Sequence, residues 1–126
     1  FIDIDYFKQI NDQFGHKAGD DTLKFIAKTL SKRCRESDIL ARTGGDEFIL
    51  LLANSDQEAA AKLAEVIMQS ISIGQSEQGP AVSISVGIAQ LETQDNNLEN
   101  LLQRADKALY RAKQRGRNRY QCWQAA

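Results

Sequence analysis

Apolar and polar positions alternate over the first five residues, Ile2 and Ile4 against Asp3 and Asp5, which predicts a strand over 1–5 with both aspartates on one face. Phe7 and Ile10 mark a short helical turn. From Asp20 to Cys34 the residues Leu23, Ile26, Ala27, Leu30 and Cys34 recur at helical spacing, with Asp20 or Asp21 placed to cap the start. Two short apolar runs, 39–42 and 48–52, flank Gly44 and Gly45, and paired glycines between such runs predict a hairpin whose tip carries Asp46 and Glu47. Helical spacing returns at Ala60, Leu63, Ala64, Ile67 and Ile71, and the Gly-, Ser- and Gln-rich stretch 74–80 reads as a loop. Val82, Ile84, Val86 and Ile88 then alternate with Ser83, Ser85 and Gly87 as a strand. A last helix is predicted over 98–114, with Leu98, Leu101, Leu102, Ala105, Leu109 and Ala112 on one face and Gly116 as its stop; 119–123 adds an edge strand.

This order contains β, α, β-hairpin, α, β, which predicts an α+β fold: a ferredoxin-like βαββαβ core with a mostly antiparallel sheet and its helices on one face. Such a core is that of palm-type nucleotidyl transfer domains. In that topology the first strand lies centrally beside the hairpin, so Asp3 is expected to approach Asp46 and Glu47 across some forty positions of sequence.

Composition narrows the classes. A chain of 126 residues, 42% apolar and 26% charged, fits one globular domain, and its longest apolar run, 48–53, is far short of the roughly 20 residues of a membrane-spanning helix. With no secretory signal at its start and no initiating methionine, the chain is expected to be a piece of a longer protein. A net charge of −1 argues against binding nucleic acid or an anionic membrane through bulk charge. The distribution is more informative. Aspartates 3, 5, 12, 20 and 21 crowd the first 21 residues against Lys8 and Lys17, whereas 104–119 holds seven basic residues against Asp106. One end is suited to metal, the other to phosphate. Cys34 and Cys122 lack the spacing of a zinc site or disulfide framework, as expected of reduced thiols in a cytoplasmic domain.

The run Gly44-Gly45-Asp46-Glu47-Phe48 resembles the signature of the GGDEF family of diguanylate cyclases. Asp3-Ile4-Asp5-Tyr6-Phe7-Lys8, Asn11-Asp12, Gly15-His16, Gly19-Asp20, 108–113 (ALYRAK) and Gly116-Arg117-Asn118 follow in the family's order, so the resemblance spans essentially the whole chain. It implies a single catalytic domain over 1–126 that lacks the family's preceding LTGLxNR-like segment and any upstream regulatory domain. It also implies condensation of two GTP molecules into cyclic di-GMP and two pyrophosphates, by a two-metal mechanism with Mg²⁺ or Mn²⁺ at the interface of a transient or regulated homodimer. The location implied is cytoplasmic, with no membrane contact by this segment and no nucleic acid partner.

Each candidate residue carries this implied role beside a plainer one. The resemblance makes Asp3, the carbonyl of Ile4 and Asp46 metal ligands, Asp46 also the proton acceptor, and Glu47 a further ligand; sequence does not divide the roles of Asp46 and Glu47. Hard divalent cations take such oxygen donors, two carboxylates with substrate phosphates being a usual set. Gly44 and Gly45 allow positive φ and close approach of backbone to phosphate, though a Gly-Gly turn with solvated acids has the same residues. Asn11 and Asp20 match the guanine readers, an Asp accepting from guanine N1 and N2 hydrogens; a turn former and a helix cap are the alternatives. His16 matches a ribose or structural position. Lys113 and Arg117, four apart, match the holders of the terminal phosphates, with Lys8 a further candidate, while cations at a helix C-terminus also complement its dipole. Arg35-Glu36-Ser37-Asp38 has the RxxD form of the family's product-inhibition site, or of a surface ion pair, and the family's second arginine is missing from 58–71. A silent module binding GTP or cyclic di-GMP is the competing function. An RNA-binding sheet is disfavoured because 82–88 offers no aromatic residue.

Overall fold

The computed structural model describes residues 1–75 and 79–124. Its chain order is β1 (Ile2–Ile4), α1 (Phe7–Phe14), α2 (His16–Arg33), β2 (Ile39–Arg42), β3 (Glu47–Leu51), α3 (Gln57–Gly74), β4 (Ile84–Ile88), α4 (Leu98–Gln114) and β5 (Arg119–Cys122). The strands form one sheet ordered β2-β3-β1-β4-β5; β1 runs antiparallel to β3 and β4, β2 antiparallel to β3, and only the β4–β5 pair is parallel. The ferredoxin-like core is therefore present, extended at one edge by β5. The start of the 74–80 loop is taken by the end of α3, and 76–78 lie outside the described residues.

Alternation on the central strands sorts side chains to two faces. Ile2, Ile4, Phe48, Ile84, Val86 and Ile88 form one buried cluster with Ile26 and Leu30 of α2 and Ala64, Ile67 and Ile71 of α3. On the other face Asp3 stands opposite Glu47 on β3 and Ser85 on β4. The expectation of helices on one face is corrected here: α4 covers this second face. Its signal was hidden because the strand residues beneath it are small and polar, and every β4 residue is buried. A Cβ on Gly87 would fall 2.2 Å from the Ala105 carbonyl oxygen and 2.3 Å from the Leu109 nitrogen, so only glycine lets α4 lie this close.

The start of α2 is also corrected. Neither Asp20 nor Asp21 caps it; the helix begins at His16, with Gly15 as N-cap at φ +89°, a backbone state natural to glycine. Gly15 donates its N–H to the Asn11 carbonyl at 2.9 Å, so α1 turns into α2 with no intervening loop. The predicted bounds of α4 hold. Asn97 caps it by accepting from Asn100 N–H at 3.1 Å, and it ends in a Schellman motif at Gly116, where Gly116 N–H reaches Lys113 O at 3.2 Å and Arg117 N–H reaches Ala112 O at 3.1 Å.

Candidate active site

Asp3 sits mid-sheet on the face under α4. Because α4 approaches closely at Gly87, Lys113, one turn beyond Leu109, pairs its ammonium with Asp3 Oδ2. Asp3 Oδ1 is buried without a hydrogen-bond partner. Burial raises the Asp3 carboxyl above its usual range, and the neighbouring Asp46 carboxylate pushes the same way, while the hydrogen bond from Lys113 opposes both. A buried, orphaned oxygen beside a second carboxylate is a costly arrangement for folding alone.

The hairpin tip is held against the end of β1. Ile4 N–H donates to the Asp46 carbonyl at 3.0 Å, and Thr43 N–H to that of Glu47 at 3.0 Å. Arg42 spans the turn, giving Nε to Gly44 O at 3.1 Å and a second guanidinium N–H to Gly45 O at 2.8 Å. The positive φ anticipated at Gly44 and Gly45 is absent, those glycines with left-handed backbone being Gly15 and Gly116. A Cβ at Gly45 would touch nothing within 4 Å, and one at Gly44 only Glu47 Cβ at 3.6 Å. The fold itself therefore does not demand glycine at either position; an approaching anion would use the bare backbone. Glu47 Oε1 accepts from Thr43 Oγ1 at 3.3 Å, and Asp46 and Glu47 are both half-buried.

Among the described residues no three His, Cys, Asp or Glu side chains gather as a metal cluster. What the structure does bring together is the Asp3 carboxylate and its charged neighbour Asp46, and an orphaned, buried Asp3 oxygen is chemically the kind of donor a hard cation takes.

The candidate base readers lie on the packed pair α1 and α2, Asn11 on the first and Asp20 on the second. Asn11 is half-buried, and a Cβ on Gly19 would stand 1.8 Å from Asn11 Oδ1, so the amide rests against the bare backbone of Gly19 beside the exposed Asp20. Gly19, which sequence reading left without a role, is what lets the Asn11 amide lie there. His16 is exposed at the first position of α2, and Lys8 is exposed on α1. Arg117 follows the end of α4 at φ +64° and lays its guanidinium over the Tyr6 ring, 4.8 Å from the centroid. Tyr6, at φ +55°, is a second residue missed, since exposed aromatics at loop positions give no periodic signal.

Arg35 and Asp38 come together as an ion pair away from this face. Asp38 is 1% exposed, and its oxygens accept from Arg35 N–H at 2.9 Å and Ala53 N–H at 3.0 Å as well as from the Arg35 guanidinium, which together hold its carboxyl below the usual range. Arg35, 58% exposed, also donates to Ala53 O at 2.6 Å and Ser55 Oγ at 2.9 Å.

Residues 1–119 match the family described as "Diguanylate cyclase, GGDEF domain". The chain belongs to the GGDEF family. It is 44% identical over 121 residues to diguanylate cyclase A of Treponema denticola and 46% identical over 121 residues to diguanylate cyclase DgcP of Pseudomonas aeruginosa, covering 94% of this chain in each case. It spans only 33% and 18% of the length of those two relatives. The active GGEEF domain of a Vibrio cholerae diguanylate cyclase superposes with a TM-score of 0.93 at 40% identity, over 99% of this chain and 81% of that one. The GGDEF domain of Caulobacter crescentus DgcB, solved in complex with c-di-GMP, gives 0.91 at 28% identity, over 98% and 75%. The α+β palm-like fold of this GGDEF domain is thus shared with proteins whose names agree on one chemistry. Among its described residues no helix is long and apolar enough to cross a membrane.

Proposed function

We propose that this GGDEF domain condenses two GTP molecules into cyclic di-GMP and two pyrophosphates. The observation that carries the reading is the pairing of Asp3 on the central strand with Asp46 on the hairpin tip, with the Asp3 oxygen left unpartnered and Lys113 beside it. Asn11 and Asp20 would read guanine, Asp20 accepting from its N1 and N2 hydrogens, an edge adenine lacks. Lys113 and Arg117, with Lys8, would hold the terminal phosphates, and Gly44 and Gly45 would admit them against bare backbone. Asp46 would accept the proton of the attacking 3′-hydroxyl, with Glu47 oriented by Thr43 at its side. Mg²⁺ or Mn²⁺, held by Asp3, the Ile4 carbonyl, Asp46 and Glu47, would supply electrostatic stabilisation of the α-phosphate and the departing pyrophosphate.

Each domain binds one GTP in this scheme, so ring closure needs two domains facing each other about a twofold axis, at least transiently. A GTP-consuming enzyme places the domain in the cytoplasm. Product inhibition at Arg35 and Asp38 requires opening the pair, because Asp38 has no exposed oxygen to offer guanine while Arg35 holds it. The same closure weighs against a silent cyclic di-GMP-binding module. The test is formation of cyclic di-GMP from GTP and Mg²⁺ by the dimerised domain: Asp46→Asn is expected to abolish it, and full activity in that variant would overturn the assignment.

A further inference from the structure

Asp5 is 5% exposed, and the reaction scheme gives it no task. Its carboxylate nevertheless accepts three hydrogen bonds: Ser83 Oγ at 2.6 Å and Asn118 N–H at 2.9 Å on Oδ2, and Ser85 Oγ at 2.6 Å on Oδ1. Its own N–H donates to Ser83 O at 2.9 Å. Asp5, just past the end of β1, thereby joins two other pieces of chain: the entry to β4 and the turn between α4 and β5.

That turn is strained. Gly116, Arg117 and Asn118 are consecutive residues with left-handed backbone, at φ +117°, +64° and +48°, and Arg117 carries a side chain that disfavours it. An outside contact must hold it, and the N–H of Asn118 given to Asp5 is such a contact. The next residue after Asp5 is Tyr6, also left-handed, whose ring lies under the Arg117 guanidinium. Asp5 and Tyr6 thus grip one turn twice, through the backbone at 118 and the side chain at 117.

We infer that Asp5 is a positioning residue for phosphate binding: its buried carboxylate fixes the Gly116–Asn118 turn so that the Arg117 guanidinium is set, against Tyr6, at a constant distance from Asp3 two residues away on β1. The inference rests on the cyclase reading. It differs from a plain structural role because it concerns the part of the nucleotide that Arg117 meets, and not the base.

The test measures binding of 3′-deoxy-GTP, which lacks the nucleophile, and of GMP to the whole protein with Mg²⁺ present, for the wild type, Asp5→Ala, Arg117→Ala and the double variant. Asp5→Ala is expected to weaken the triphosphate about tenfold, as Arg117→Ala does, and to leave GMP within about twofold. The double variant is expected to be no worse than about tenfold, since both changes remove one interaction. Equal weakening of triphosphate and GMP, or effects that multiply to about a hundredfold, would overturn the inference. Should Asp5→Ala not fold, the near-isosteric Asp5→Asn carries the same comparison, expected at about threefold on the triphosphate alone. A wild type that binds neither nucleotide would overturn the cyclase reading and this inference with it, whereas wild-type binding with unselective variants overturns only the latter.

Discussion

A carboxylate whose burial raises its pKa destabilises the fold while it stays ionised, and Asp3 is in that position. Its folded value lies above the unfolded one, so protonation as pH falls relieves the cost, and neutralisation by substitution should do likewise. Asp3→Asn is therefore expected to unfold at or above the wild-type temperature while losing turnover, and added Mg²⁺ should raise the melting temperature of the wild type alone. Differential scanning calorimetry with and without Mg²⁺ checks this; a variant that melts far below wild type would mean that Asp3 is structural. Gly19 gives a second case. A methyl there collides with the Asn11 amide and with no backbone group. Gly19→Ala is expected to change stability by less than about 1 kcal/mol, helix propensity offsetting the displaced side chain. GTP affinity should fall at least about tenfold with loss of preference over ATP, measured by competition binding.

Among the elements, strands and hairpin were legible because alternation and a Gly-Gly tip mark them directly, and 98–114 was read to its ends because its apolar face is periodic and Gly116 carries the stop signal. The start of α2 was not legible. Asp20 looked like a cap, yet the true break is Gly15, whose positive φ leaves no mark in composition beyond being glycine. The face covered by α4 was equally hidden, because the strand positions beneath it, Asp3, Ser85 and Gly87, are small or polar and Gly87 meets α4 at Ala105 and Leu109. At the site, Asp3 comes beside Asp46 as the topology led one to expect, whereas the Lys113 pairing with Asp3 was not foreseen, and Tyr6 and Gly19 depend on loop and helix-crossing geometry that spacing does not encode. Gly87→Ala tests the close contact. A Cβ there meets α4 backbone, which cannot step aside, so a loss of about 1–3 kcal/mol in urea unfolding is expected, together with lower activity as Lys113 moves off Asp3.

For the whole molecule, acid stability depends on carboxylates held in ion pairs. Arg104 grips Asp95 through both oxygens, one at 2.7 Å, tying the β4–α4 connection, and these hydrogen bonds bring the Asp95 carboxyl down to about 2. Asp38, lowered by its backbone and Arg35 donors, ties the α2–β2 connection to the end of β3. Both folded values lie below the unfolded ones, so the stability they contribute is complete above about pH 5 and is lost as pH falls toward 2. Urea midpoints should be flat from pH 7 to about 5 and decline steeply below about 4, and Asp95→Asn should flatten that decline. Turnover, on the proposed reading, would be a property of two molecules. It should rise faster than linearly with protein concentration until the dimer saturates.

On the proposed reading, Asp3 and Asp46 form the metal-binding and proton-accepting heart of a cyclase that works as a pair of domains. The most direct measurement fuses the domain to a dimerising coiled coil, incubates it with GTP and Mg²⁺, and chromatographs the products beside Asp46→Asn. Cyclic di-GMP is expected from the fusion and none from the variant; cyclic di-GMP from both, or from neither when GTP is bound, would contradict the assignment.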